Sequence, residues 1–282
     1  MITRPVTRRT FLATCGAASA VGLVPARAAN GTAPWKLGIQ LFSLRGYPAE
    51  RALEHARDLG FEAVEFYPGM LPIAVDDSVS RMRDRVTGLG LAVSAAFVGN
   101  FSKDTAANRR LFEYGKLLGT RTLVGDPAPD SFDSLDELVK EFDMRVAIHN
   151  HGPGHRYNKA IDVVRAIENH DSRIGACADI GHYIRSGERP VEVVRLLAGR
   201  LYGIHLKDFA EMKGNAKGVI LGKGHVDVRL FFEALAQAKF PADGALSLEY
   251  EENPKDPLNE IRECVAVARA GLDAVAAVPA ER

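Results

Sequence analysis

Apolar and polar residues follow two periods along this chain. Short apolar runs rich in Val, Ile, Leu and Ala predict strands, and they alternate with longer stretches carrying apolar residues at helical spacing. The predicted strands are Leu37–Phe42, Ala63–Phe66, Ala92–Val98, Arg121–Val124, Arg145–His149, Ile174–Asp179, Leu201–His205 and Ala245–Glu249. Between and after them, helices are predicted over Glu50–Leu59, Val79–Leu89, Asn108–Leu118, Leu135–Phe142, Asn158–Asn169, Pro190–Leu197, Val228–Ala238 and Leu258–Val275. Gly60 and Gly119 stop two of the helices, and Pro68 closes the second strand. Eight strands alternating with eight helices predict an α/β protein of the (β/α)8 TIM-barrel type, one domain over residues 35–276. No Gly-x-Gly-x-x-Gly follows the first strand, which speaks against a dinucleotide-binding sheet.

The strand ends carry the chemistry. Glu65, His149, Asp179, His205 and Glu249 each stand at the C-terminal end of an apolar run, where a parallel barrel opens its functional mouth. The steps from 149 to 179, 205 and 249 are 30, 26 and 44 residues. Each is room for a strand, a helix and two loops, with an enlarged loop in the last. Two imidazoles and two carboxylates gathered at one mouth predict a site for one divalent cation, held by His149, Asp179, His205 and Glu249. Strand period two puts His151 on the face of His149, Lys207 on that of His205 and Glu251 on that of Glu249, nearer the solvent. His151 is therefore a candidate base, substrate contact or alternative strand-five ligand in place of His149, Lys207 a candidate electrophile, and Glu251, Glu65 and His182 candidates for holding substrate. Each also has a plainer reading. His149 can be a hydrogen-bonded core imidazole, Asp179 a helix cap, Glu65 a buried carboxylate paired with a basic neighbour, and Lys207 a paired lysine. Gly222-Lys223-Gly224 lacks the Ser or Thr of a phosphate cradle and is expected to form a mobile loop over the mouth.

Composition adds an address. Thr7-Arg8-Arg9-Thr10-Phe11-Leu12 is a twin-arginine element; a mildly apolar stretch follows to Val24, and Ala26-Arg27-Ala28 gives a small-x-small cleavage site. No acidic residue precedes Glu50. Residues 1–28 are expected to be a signal peptide, delivering the folded protein to the periplasm or beyond. The stretch is too short and too rich in Ala and Gly to span a bilayer, and Cys15 lies too close to the arginines for a lipoprotein box. Lys and Arg number 36 against 36 Asp and Glu; removal of Arg4, Arg8, Arg9 and Arg27 leaves a slightly acidic mature chain, which points away from nucleic-acid and membrane surfaces. Cys177 and Cys264 are expected as buried free thiols.

Ala178-Asp179-Ile180-Gly181-His182, Ile204-His205-Leu206-Lys207-Asp208, Leu221-Gly222-Lys223-Gly224 and Leu248-Glu249 carry a resemblance to the xylose-isomerase-like barrels. This is the sugar phosphate isomerase/epimerase group, with its inosose isomerases and dehydratases, keto-sugar epimerases and hydroxypyruvate isomerase. The resemblance runs from Leu37 to about Val275. It implies that Asp179, His205 and Glu249 bind a divalent ion, manganese foremost, with magnesium, cobalt or zinc as alternatives. The family's fourth ligand is usually a glutamate at the end of strand five, where this chain has His149.

The chemistry that follows is proton abstraction next to a carbonyl, with Glu249 and His151 as the groups that move the proton. The products are those of isomerisation or epimerisation, or of elimination by dehydration or keto-glycoside cleavage. Loss of one family carboxylate weakens a two-base isomerase and favours elimination. An exported protein meets free sugars, polyols or keto-glycosides rather than phosphorylated ones, so a small carbohydrate is the expected partner. A homo-oligomer stays open. Two other classes remain: a non-catalytic sugar-binding or partner subunit, and an endonuclease IV-like phosphodiesterase, which the near-neutral charge disfavours.

Overall fold

A computed structural model describes residues 33–276. The predicted signal peptide and its cleavage site lie outside the described residues. The chain runs β1 (Leu37–Gln40), α1 (Ala49–Asp58), β2 (Ala63–Phe66), α2 (Asp77–Gly88), β3 (Ala92–Phe101), α3 (Thr105–Leu118), β4 (Thr122–Pro127), α4 (Phe132–Phe142), β5 (Arg145–His149) and α5 (Ala160–Ile167). It continues β6 (Ile174–Asp179), α6 (Ile180–Arg185), α7 (Pro190–Leu196), β7 (Leu201–Leu206), β8 (Asp208–Phe209), β9 (Gly218–Val219), α8 (Val228–Gln237), β10 (Ala245–Leu248) and α9 (Leu258–Ala276). Eight parallel strands close in the order β1-β10-β7-β6-β5-β4-β3-β2. The chain folds as a single TIM-barrel domain, as the alternating pattern predicts.

Local signals set the element ends. Asp104 caps α3 by accepting from the Ala106 and Ala107 amides at 3.0 Å each, and Gly119, at φ 82°, ends it in the left-handed conformation. Two features escape the sequence pattern. Helix α6 follows β6 with no intervening loop and is only six residues long, too short for helical periodicity to register. Strands β8 and β9 form a two-residue antiparallel ladder in the long segment before α8.

That long segment is tied down, contrary to the expected mobile loop at Gly222–Gly224. The buried Asp208 carboxylate accepts from the amides of Phe209 (2.9 Å), Gly222 (3.0 Å), Gly224 (2.9 Å), His225 (2.7 Å) and Val226 (3.3 Å). An ionised acceptor with two oxygens satisfies amides that no regular element reaches.

Strand period two sorts the barrel into an outer and an inner face. Ile148, Ala178, Ile204, Leu206 and Leu248 face the helices in the main core. On the inner face Ala147, Cys177 and Ala245 join Ala95 and Val124 in a separate cluster of small side chains. Ala147 and Cys177 sit two residues before His149 and Asp179, and Ala245 sits two before Ser247, so the polar cluster rests on an apolar floor. Register completes the layer: His149 pairs with Cys177, Asp179 with His205, His205 with Ser247, and Gln40 with Glu65.

The floor is close-packed at Gly203, where an added Cβ would stand 2.7 Å from Cys177 Sγ and 3.0 Å from its Cβ. Gly203→Ala is therefore expected to destabilise the fold by about 1–3 kcal/mol through overpacking. Urea unfolding of the wild type and variant checks this, with a lowered midpoint at unchanged slope as the expected result.

Candidate metal centre

His149, Asp179, His205 and Glu249 come from β5, β6, β7 and the residue after β10, four strands that are neighbours in the barrel. Each offers one donor atom, and all four atoms lie within 4.8 Å of one another, every residue being buried. His205 Nδ1 is 3.0 Å from His149 Nε2, 3.0 Å from Glu249 Oε2 and 3.7 Å from Asp179 Oδ2, and His149 Nε2 is 3.6 Å from Asp179 Oδ2. Donor atoms on a tetrahedral ion with bonds near 2.1 Å stand about 3.4 Å apart, so the spacing suits a divalent cation.

The backbone explains how Asp179 serves two tasks. Its Oδ1 accepts from the His182 amide at 2.8 Å and caps α6. Its backbone is clamped by Asn150, whose Oδ1 accepts from the Asp179 amide (2.7 Å) and whose Nδ2 donates to the Asp179 carbonyl (3.0 Å). Oδ2 is left facing the cluster. Asp179 Oδ2, Glu249 Oε2 and His149 Nδ1 are buried without a hydrogen-bond partner. Lys207 Nζ lies 2.9 Å from Asp179 Oδ2 and 2.8 Å from Glu249 Oε2, close enough for charge pairing but at angles that make no hydrogen bond. Orphaned acceptors converging inside a barrel are costly unless a cation shares them. The donor set fits a divalent ion.

Electrostatics favour that cation. Burial would raise the Asp179 carboxyl, but His182 and Lys207 outweigh it and hold the group well below the usual carboxylate range. Glu249 behaves alike: burial opposes ionisation, and Lys207 and His205 keep it ionised. Burial would lower His205, yet the Cys177 sulfur and the Glu65 and Glu249 carboxylates raise it well above its ordinary value, the mark of a negative potential. Lys207 is buried, which disfavours its charge, but Asp179, Glu249 and Glu251 together keep it cationic. It serves as a fixed positive charge, not a base.

Above the cluster lies a pocket of ≈ 250 Å³. On the β5–β6–β7–β10 arc its wall carries His149, His151, His182, His205, Glu249 and Glu251. On the β1–β2–β3 arc it carries Gln40, Phe42, Tyr67, Pro68 and Phe97. Burial, with His149 and His155 nearby, lowers the His151 pKa to about 4. Burial likewise lowers His182 to about 3. Their rings stack at a centroid distance of 5.6 Å, and His151 also stacks on His155 at 4.9 Å. Glu251 accepts from Lys207 Nζ at 3.0 Å on the rim.

Of the residues marked from sequence, six line this pocket, Asp179 and Lys207 lie against those six, and Glu65 lies deeper. Glu65 takes its plainer expected role, a buried carboxylate paired with a basic neighbour, and not that of a substrate contact: it is fully buried below the cluster and faces His205 and Ser247. The aromatic arc and the Asn150 clamp went unmarked. Phe42, Tyr67 and Phe97 follow or end strands as the polar groups do, but aromatic residues in apolar runs read as core.

Residues 53–271 match the family described as xylose isomerase-like TIM barrel. An inosose dehydratase from Clostridium botulinum (strain Eklund 17B / Type B) is 28% identical over 138 residues, covering 43% of this chain and 45% of that protein. The match thus spans less than half the length of such relatives. A solved structure of an uncharacterised protein from Parabacteroides distasonis ATCC 8503 is 27% identical with a TM-score of 0.65, covering 83% of this chain and 98% of that one. The IolI protein with a bound zinc atom has a TM-score of 0.68 at 18% identity, covering 85% of this chain and 98% of its own, a likeness of fold. With the matched region extending from the first helix into the last, and the barrel closed around strand-end donors, this chain belongs to the xylose isomerase-like TIM barrel family.

Proposed function

We propose that this chain is a divalent-metal-dependent enzyme acting on a small sugar, polyol or keto-sugar by removing a proton next to a carbonyl, with elimination as the favoured outcome. The observation that carries the reading is the convergence of four buried donor atoms on the floor of an open pocket walled by imidazoles. The inosose dehydratase relatives support a hydroxylated ring as substrate class and loss of water as outcome. The pocket volume falls just below the range of about 300–1,000 Å³ typical of drug-sized ligands, which suits a single sugar ring.

His149, Asp179, His205 and Glu249 would hold the ion. When bound, a divalent ion polarises a carbonyl and acidifies the neighbouring C–H. Mixed imidazole and carboxylate donors suit manganese, cobalt or zinc better than magnesium, which prefers oxygen ligands; manganese is our first assignment. His151, neutral through burial, offers a lone pair to the departing proton. Once protonated, it can hand that proton to a leaving oxygen or back to carbon. Lys207 stays charged and sets a positive potential where negative charge develops on substrate oxygens. Glu249 remains ionised and contributes either as ligand or as the second proton acceptor. Phe42, Tyr67 and Phe97 exclude water from the other side and present apolar surface to the C–H face of a ring.

The direct test incubates metal-loaded protein with a panel of sugars, inososes and keto-glycosides in D2O. Deuterium uptake at carbon, or an unsaturated product, is expected for at least one compound; a panel that stays unlabelled and intact while one member binds would assign the chain to sugar binding without catalysis.

Metal and base are expected to separate by mutation. Asp179→Ala, His205→Ala, Glu249→Ala and His149→Ala should each lose most bound metal by elemental analysis, where wild type holds about one ion per chain. His151→Ala should retain metal and lose turnover by roughly a hundred- to ten-thousand-fold. Exchanged phenotypes for His149 and His151 would exchange their roles.

We further propose export by the twin-arginine route to the periplasm or beyond, on the strength of Arg8-Arg9 and Ala26-Arg27-Ala28. Replacing both arginines by lysine should strand the precursor in the cytoplasm, read by fractionation and immunoblot. Undiminished export of that variant would remove the proposal.

A further inference from the structure

Glu65 ends β2, and its side chain crosses the barrel interior to β7, passing beneath β1 and β10 in the strand order. It is 0% exposed, does not itself line the pocket, and meets the pocket wall only from behind, through His205. Its two oxygens lie 3.0 and 3.1 Å from His205 Nε2. Oε2 also accepts from Ser247 Oγ at 2.8 Å, and Ser247 is the register partner of His205 on β10. Carboxylate, hydroxyl and imidazole thus form one closed set directly under the donor cluster.

We infer that Glu65 is a positioning residue which, held by Ser247, fixes His205 in the tautomer that turns a lone pair toward the other three donor atoms. The inference rests on the proposed metal-dependent reading of the same site. Its chemistry is simple. In the metal-binding form the imidazole is neutral, with one N–H and one lone pair, and the hydrogen stays on the nitrogen that faces away from the ion. Both Glu65 oxygens stand at hydrogen-bond distance from Nε2, so Nε2 donates to Glu65 and Nδ1 keeps the lone pair. Nδ1 is the atom 3.0 Å from Glu249 Oε2 and 3.0 Å from His149 Nε2. With the hydrogen on the far side of the ring, Nδ1 and Oε2 face each other as two electron-rich atoms, an arrangement stabilised by a cation shared between them. The opposite tautomer would give Nδ1 a hydrogen to donate to Glu249 and leave Nε2 with a lone pair against two carboxylate oxygens at hydrogen-bond distance. That arrangement is repulsive and buried. The Glu65 carboxylate also makes His205 a stronger donor, as carboxylates behind ligating histidines do.

The test uses full-chain protein stripped with chelator and titrated with zinc against a chromophoric competitor. Glu65→Gln keeps an acceptor for Nε2 without the charge and is expected to weaken zinc binding about tenfold. Glu65→Leu removes both and is expected to weaken it toward a hundredfold. Long-range 1H–15N spectra should show His205 with its hydrogen on Nε2 in the wild type and Glu65→Gln, and a mixture in Glu65→Leu. In a His205→Ala background, Glu65→Gln should cost no further affinity, which separates an effect through His205 from general damage. Should Glu65→Leu fail to fold, the near-isosteric Gln variant still carries the measurement. Unchanged zinc affinity in Glu65→Gln and Glu65→Leu, a wild-type hydrogen on Nδ1, or an undiminished cost in the His205→Ala background overturns the inference while the metal reading stands. A wild-type protein with its hydrogen on Nε2 and no zinc affinity supports the positioning role of Glu65 and overturns the metal reading alone.

Discussion

The site depends on keeping ionised carboxylates out of water. Asp179 and Glu65 are fully buried, and Glu249 is 7% exposed. Each such ion costs several kcal/mol to desolvate unless its partners are well placed. Much of the surrounding structure answers that cost. Lys207 stands among Asp179, Glu249 and Glu251, the His182 amide takes one Asp179 oxygen, and Ser247 and His205 take Glu65. Even so, acceptor atoms of Asp179 and Glu249 remain without hydrogen-bond partners. A barrel selected for stability alone would fill these positions with branched apolar residues, as such barrels commonly do inside. Buried acceptors at strand ends that keep an ion pair but no hydrogen bond are expected where a site is retained at the expense of stability.

Rigidity follows from where these groups are mounted. The donors end hydrogen-bonded strands, in a register that sets Asp179 beside His205 and His205 beside Ser247. The small inner layer of Ala147, Cys177 and Ala245 lets the strands approach closely below them, and Gly203 makes room for Cys177. Asn150 locks the backbone of Asp179, and Asp208 gathers the following loop onto the end of β7. Donor positions fixed by strands and clamped by side chains are what pre-organised binding needs.

The mouth is divided in two. Strands β5, β6, β7 and β10 supply imidazoles and carboxylates, whereas β1, β2 and β3 supply Phe42, Tyr67 and Phe97. The aromatic side lowers water access and strengthens every charge interaction on the polar side. The same burial explains why His151 and His182 are held neutral although they adjoin a cluster of carboxylates. Under the proposed function, the polar half would handle oxygens and protons while the apolar half faces the C–H side of a ring.

The barrel and its donor set were legible in the sequence because both rest on local periods. Apolar runs placed all eight barrel strands, with the ends of β1, β3 and β4 off by two or three residues, and the recurrence of His149, Asp179, His205 and Glu249 at strand ends foretold one mouth. Period two placed Lys207 and His151 above them. Contacts across the barrel were not legible. Glu65 and His205 are 140 positions apart, and only closure of the sheet and the stagger of its strands decide that one reaches the other. The same closure made Lys207 the shared partner of three carboxylates, gave one Asp179 oxygen to a helix cap and left the other facing the cluster, and turned Phe42, Tyr67 and Phe97 into a pocket wall. A strand's pattern fixes which face a residue takes; what it meets on that face is set by the strands that chain closure brings opposite it.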